Sequence, residues 1–253
     1  MMLEGKTAIV YGGAGSIGSA VAGGLAAEGA QVFLAGRTLA SLNRVAEGIL
    51  AAGGRAEAAV VDALDADSVD RHADAVAAAT GRLDISFTAI SDNDVQGTPL
   101  VEMDVEDYLA PVVTNIRSKF LTARAAARHM RPQGSGVILY FGGAPNRAPF
   151  TDYYIGGVLT AFEAVEAMRR QLASELGRYG IRVVSLRTGG IPESLPADFD
   201  GRAAIIDSMS RDSLLGRTAT LTDVAAVAAF VASDRAASMT AATVNVSCGA
   251  LVD

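Results

Sequence analysis

Tyr11-Gly12-Gly13-Ala14-Gly15-Ser16-Ile17-Gly18 is a run whose glycines let the backbone turn sharply and stand close to a bulky anion. It follows an apolar run, Thr7–Tyr11, and opens a helical pattern at Ile17. The free N–H groups and positive end of that helix would therefore face the anion. Strand, glycine-rich turn and helix in this order make a seat for a diphosphate, although a tight turn alone would also use these glycines. Gly12, Gly15, Ser16, Ile17 and Gly18 are the expected contacts. The second apolar run, Gln31–Ala35, leads into Gly36-Arg37-Thr38. An acid at that point would bind a ribose 2′-hydroxyl, whereas an arginine can grip a 2′-phosphate. The expected ligand is thus NADP(H), with Arg37 and Thr38 at the extra phosphate; an arginine in a solvated loop is the plain alternative. Asp62, followed by Ala63, ends the third apolar run and is expected near the adenine or as a helix cap.

Other reactive residues offer less. His72 and His129 are far apart and sit among polar helix residues, so surface positions are expected for both. Asp62, Asp65, Asp67 and Asp70 lack the glycine and terminal Glu of a calcium loop and read as a solvated acidic turn. No metal site is expected. Arg147 is read as a surface loop residue.

Seven apolar runs can position this chemistry: Thr7–Tyr11, Gln31–Ala35, Ala58–Val61, Ile85–Ile90, Val137–Phe141, Arg182–Leu186 and Thr243–Val246. Their continuous hydrophobicity suits strands of a parallel sheet covered on both faces. Helical patterns alternate with them at Ile17–Glu28, Leu39–Ala52, Ser68–Ala79, Val105–Met130, Gly156–Arg178 and Thr222–Ala232, with caps expected at Ser68 and at Thr222-Asp223. Such alternation predicts right-handed crossovers and a single α/β domain over 1–253, a Rossmann-type three-layer αβα sandwich. Segment Gly189–Arg217 is the least regular and is expected to cross the carboxyl ends of the strands, where ligands bind.

The formal net charge of -7 argues against nucleic acid and anionic lipid as partners. One cysteine, Cys248, cannot form an internal disulfide, and no signal peptide or membrane-crossing run is read, so a cytoplasmic protein acting on a small molecule is expected.

The order of these pieces resembles the short-chain dehydrogenase/reductase family over nearly the whole chain. The glycine turn is similar to that family's opening motif, with Tyr11 for its Thr and Ser16 for its second Gly. Leu83-Asp84-Ile85, Gly180-Ile181-Arg182-Val183, Leu215-Gly216-Arg217, Val231-Ala232-Ser233-Asp234 and Val244-Asn245-Val246 through Gly249 follow in the family's order. The resemblance implies a seven-stranded, mostly parallel sheet, a homotetramer or homodimer, and further cofactor contacts at Ala89, Ile90 and Ile191. It also places the family's catalytic Asn at Asn115. The Ser position falls on Gly143, the Tyr on Val158 and the Lys on Phe162, and the two lysines of the chain are Lys6 and Lys119. Val158, Phe162, Val165, Met168 and Leu172 share helical spacing and read as one packed apolar stripe.

Tyr153 and Tyr154 precede the same helix. The chain is partly similar to the enoyl-acyl carrier protein reductase branch, which carries Ser in the glycine turn and its Tyr one turn earlier; in that register the Tyr falls on Ile155, beside Tyr154, and the Lys still falls on Phe162. The Tyr154 hydroxyl would donate a proton or bond a carbonyl as hydride arrives, with Asn115 supporting a water network. With no cation read nearby, such a tyrosine is a tolerable acid and a poor base, favouring reduction. Gly156-Gly157 would let a ligand approach the backbone. Tyr153 and Tyr154 can equally be core or interface aromatics. The functional reading is an NADPH-dependent reductase of a carbonyl or conjugated alkene. The alternative is a catalytically inactive NADP(H)-binding sensor or oligomerisation partner.

Overall fold

The computed structural model describes residues 1–91, 93–142, 154–195 and 201–252. Seven parallel strands form one sheet: β1 Thr7–Tyr11, β2 Gln31–Gly36, β3 Arg55–Val60, β4 Ile85–Thr88, β5 Gly136–Gly142, β6 Ile181–Arg187 and β7 Ala242–Asn245, in the order β3-β2-β1-β4-β5-β6-β7. The helices are α1 Ser16–Ala27, α2 Leu39–Ala51, α3 Ala66–Thr80, α4 Val105–Gln133, α5 Val158–Leu176, α6 Arg202–Arg211 and α7 Leu221–Ala232. The order reverses at β1 and β4, so the crevice for a ligand opens where both strands end.

Alternation along the buried strands builds two cores. Ala8, Val10, Val32, Leu34, Val137 and Leu139 pack with α1, α2 and α7 on one face. Ile9, Tyr11, Phe33, Ile138 and Tyr140 pack with α3, α4 and α5 on the other. The Leu83-Asp84-Ile85 segment has a physical reason: the buried Asp84 carboxylate accepts from Thr7 N at 2.9 Å and is clamped by Arg82 at 2.6 Å and 2.7 Å. It ties the start of β1 to the start of β4.

The expected caps differ. Asp65 caps α3, its side chain accepting from the Asp67 and Ser68 amides, while Thr220 and Asp223 form a capping box on α7. Segment Gly189–Arg217 carries α6 and a 3-10 turn at Pro192–Ser194. Arg147, Gly143 and Tyr153 lie outside the described residues.

His72 departs from its expected surface position. Its ring packs edge-on to the buried Tyr11 ring, with centroids 6.4 Å apart, and its buried Nε2 has no hydrogen-bond partner among the described residues. Burial holds its pKa below the usual imidazole value. The neutral ring is therefore favoured in the fold. Its contribution to stability is complete above the unfolded-state pKa of about 6.5 and is lost as pH falls from there through the lower folded-state value. Thermal denaturation between pH 7.5 and pH 5 is expected to show a steeper loss of Tm for the native chain than for His72→Gln. Equal slopes would remove His72 from the acid sensitivity.

Candidate functional site

Two adjoining cavities occupy the crevice. The first, about 320 Å³, is bounded by Gly12, Gly15, Arg37, Thr38, Asp62 and Ala63, with Ala89 and Ile90 on its far side. The second, about 380 Å³, is bounded by Ser16, Ile17, Gly18, Asp94, Phe162 and Ser194. Gly15 and Ala89–Ser91 line both, so one wall runs through the two.

The glycines shape this wall by close approach. A Cβ on Gly12, whose φ is +81°, would stand 2.1 Å from the Ala89 carbonyl oxygen. A Cβ on Gly18 would stand 2.1 Å from the Gly12 oxygen. The ends of β1 and β4 and the start of α1 are therefore in backbone contact, which brings the first amides of α1 into the crevice. Gly15 is the α1 N-cap with no side-chain cap bond, and the first turn holds no acid. Those amides are open to an anion, and nothing in the turn repels one.

Arg37 and Thr38 follow β2 on the rim of the first cavity, both exposed. The Thr38 side chain makes no cap bond to α2, and among the described residues no hydrogen bond or ion pair engages the Arg37 guanidinium. Asp62 caps no helix; its Oδ1 accepts from Leu64 N at 2.9 Å and fixes the turn after β3. Ile191 is buried in the α1/α7 core and does not line either cavity. Its neighbour Ser194 does.

Tyr154 lines neither cavity. It is 53% exposed, and its carbonyl accepts from Gly97 N at 2.8 Å, which ties it to the loop carrying Asp94. The following glycines serve protein rather than ligand contact, a correction to their expected role. A Cβ on Gly156 would meet the Val95 oxygen at 2.4 Å, and one on Gly157 the Tyr108 oxygen at 2.0 Å.

Asn115 is buried on α4, where its Nδ2 donates to the Pro111 carbonyl at 3.0 Å and its Oδ1 accepts from Lys119 Nζ. The apolar stripe on α5 is broken. Val158 and Val165 are buried, but Phe162 turns to the cavities, and Glu166 one turn on joins Arg169 at 2.8 Å and Thr243 at 2.7 Å. Burial pushes Glu166 up, yet its hydrogen bonds from Arg169 and Thr243 hold the carboxyl below its ordinary range. Asp94, Ser194 and Phe162 were not anticipated as lining residues; only the placing of 189–217 over the strand ends pointed to one of them. Among the described residues no cluster of His, Cys, Asp and Glu can hold a metal ion, and no helix is long and apolar enough to cross a membrane.

A doubly wound parallel sheet with a glycine turn at its switch point defines a dinucleotide-binding α/β protein. The family model described as enoyl-(acyl carrier protein) reductase matches residues 12–250. L-rhamnose 1-dehydrogenase (NAD(P)(+)) of Azotobacter vinelandii is 32% identical, covering all of this chain and 99% of its own. A short-chain dehydrogenase from Burkholderia cenocepacia in complex with NADP has a TM-score of 0.84 at 32% identity and 99% coverage of both chains. A short-chain type dehydrogenase/reductase from Mycobacterium ulcerans has a TM-score of 0.87 at 28% identity, covering 99% of this chain and 91% of its own. The chain belongs to the short-chain dehydrogenase/reductase family, a family of oxidoreductases using nicotinamide cofactors.

Proposed function

We propose that this protein is an NADP(H)-dependent reductase acting on a carbonyl or conjugated alkene of a small, partly apolar substrate. The observation that carries the cofactor preference is Arg37 in the lining of the first cavity, with Thr38 and Gly15. A guanidinium pairs bidentately with a phosphate and has no comparable partner in a plain ribose. The Burkholderia relative, crystallised with NADP, is consistent with this choice.

The amides at Gly15–Gly18 hold the diphosphate, and Arg37 and Thr38 hold the 2′-phosphate. Asp62 and Ala63 border the adenosine. When bound, NADPH supplies a hydride from its nicotinamide ring. The second cavity receives the substrate, with Ile17, Ile90 and Phe162 on its apolar side and Ser91, Asp94 and Ser194 on its polar side. Tyr154 is assigned the proton that follows; it stands outside both cavities, bonded through its carbonyl to Gly97, so the assignment requires it to approach the substrate when the cofactor and substrate bind.

Calorimetry with NADPH and NADH, followed by NADPH consumption across aldehydes, ketones, quinones and enones, tests the reading. Micromolar NADPH affinity and turnover with one of these classes are expected, with turnover falling at least tenfold in Tyr154→Phe. Unchanged turnover in that variant discards the tyrosine assignment alone. Tight NADPH binding without consumption selects the inactive sensor or oligomerisation partner instead, and no affinity for NADPH sinks both.

A further inference from the structure

Behind the second cavity lies a chamber of about 10 Å³, enough for one water. Phe141, Gly142 and Phe162 line both spaces, so the two adjoin across these residues. On the chamber's inner side stands Lys119, a side chain 1% exposed on α4. Among its contacts are these. Its ammonium donates to Asn115 Oδ1 one turn earlier, the Asn115 amide is held in turn by Pro111 O, and Tyr140 donates to the Lys119 carbonyl at 3.0 Å. Glu166 and Arg187 also line the chamber, and Glu166 is joined by Arg169 at 2.8 Å.

Placing an ammonium there carries a desolvation cost that an apolar side chain at the same helical position would not. A buried charge also acts over a longer range than one in water, because little solvent screens it. What lies within that range is the end of the second cavity beside Phe162 and Gly142. When hydride adds to the carbon of a carbonyl or conjugated alkene, the π pair moves to oxygen, which carries negative charge until a proton arrives. A fixed cation in the adjoining chamber stabilises that charge without rearranging during the reaction.

We propose that Lys119 supplies the positive charge that stabilises the oxyanion formed in the second cavity, acting across the Gly142–Phe162 partition as a positioning residue held by Asn115. The inference rests on the reductase reading for the reaction, but its central claim concerns where charge is placed.

The test uses 4-nitrophenol, whose phenolate mimics the oxyanion and is read by absorbance, with NADP-loaded native protein, Lys119→Met and Lys119→Gln. Native protein is expected to shift the phenol's ionisation towards phenolate relative to water. Both variants should reverse at least a tenfold part of that change in ionisation constant. Gln keeps a hydrogen bond to Asn115, so its agreement with Met assigns the effect to charge. In turnover, kcat should fall at least tenfold while KM and NADPH affinity change less than threefold. Tm is measured for each variant to show that it is folded, because Lys119→Met removes the donor to the Asn115 oxygen.

No displacement of the ionisation curve by native protein, or an equal one in either variant, overturns the proposal. If the curve moves as expected but none of the proteins consumes NADPH, the reductase reading fails and the placement of charge stands.

Discussion

Replacing Arg37 with Glu is expected to weaken NADPH binding about a hundredfold and to leave NADH binding nearly unchanged. Arg37 stands on the cavity rim beyond the end of β2, and no other described residue engages its guanidinium. The substitution therefore removes no interaction of the fold, and Tm should hold. A hydrogen bond to a charged partner is worth about 1.5–3 kcal/mol. That is about a ten- to a hundredfold change in affinity, and a carboxylate facing the 2′-phosphate adds repulsion to the loss. Because the site is exposed, the native preference for NADPH over NADH should shrink as salt rises. Paired calorimetric titrations with the two cofactors decide the matter. Equal losses for both would mean that Arg37 shapes the site without meeting the extra phosphate, and the cofactor preference would have to be reassigned.

The parts of this site that could be read in advance are those the chain builds locally. A buried parallel strand, a glycine turn and a helix start are contiguous, so their residues carry the pattern themselves. Arg37 is legible for the same reason, following its strand by one residue. β3 begins at Arg55, three residues before the apolar run, because this edge strand alternates polar and apolar residues and its outer positions face solvent. α6 was not read at all: none of its residues is buried, so no apolar periodicity marks it. The face of Phe162 depends on how α4 and α5 meet β5 and β6, contacts between segments far apart in the chain. Helical spacing alone put Phe162 in a packed stripe. Lys119 had a local signal, four residues after Asn115 on one helical face, but its burial beside Gly142 is a tertiary fact. His72 failed for a similar reason, since its polar neighbours conceal the Tyr11 ring against which it packs.

Gly12→Ala should be the most damaging single substitution in the cofactor turn, and it separates the turn's shape from its charge. Two costs add. The residue must keep a φ of +81°, which L side chains rarely adopt, and the new Cβ would lie 2.1 Å from the Ala89 oxygen. Such backbone strain costs about 1–3 kcal/mol, and forcing an extra methyl into a filled space costs about 1–3 more. The sum, about 2–5 kcal/mol after partial relaxation, corresponds to a fall in Tm of roughly 5–15 °C for a domain of this size. Relaxation has one direction open to it. The ends of β1 and β4 must separate, which moves the wall shared by both cavities and draws the first amides of α1 away from the diphosphate. Affinity for NADPH and for NADH should therefore fall together, in contrast to Arg37→Glu. Gly23→Ala, also on α1 but with nothing within 4 Å of its new Cβ, provides the comparison. It should be neutral or stabilise by about 0.5–1 kcal/mol. Thermal melts and titrations of the two variants read the difference. Full NADPH affinity in Gly12→Ala would show that the diphosphate seat tolerates separation of β1 from β4, and the turn would lose its role as the element that sets the site.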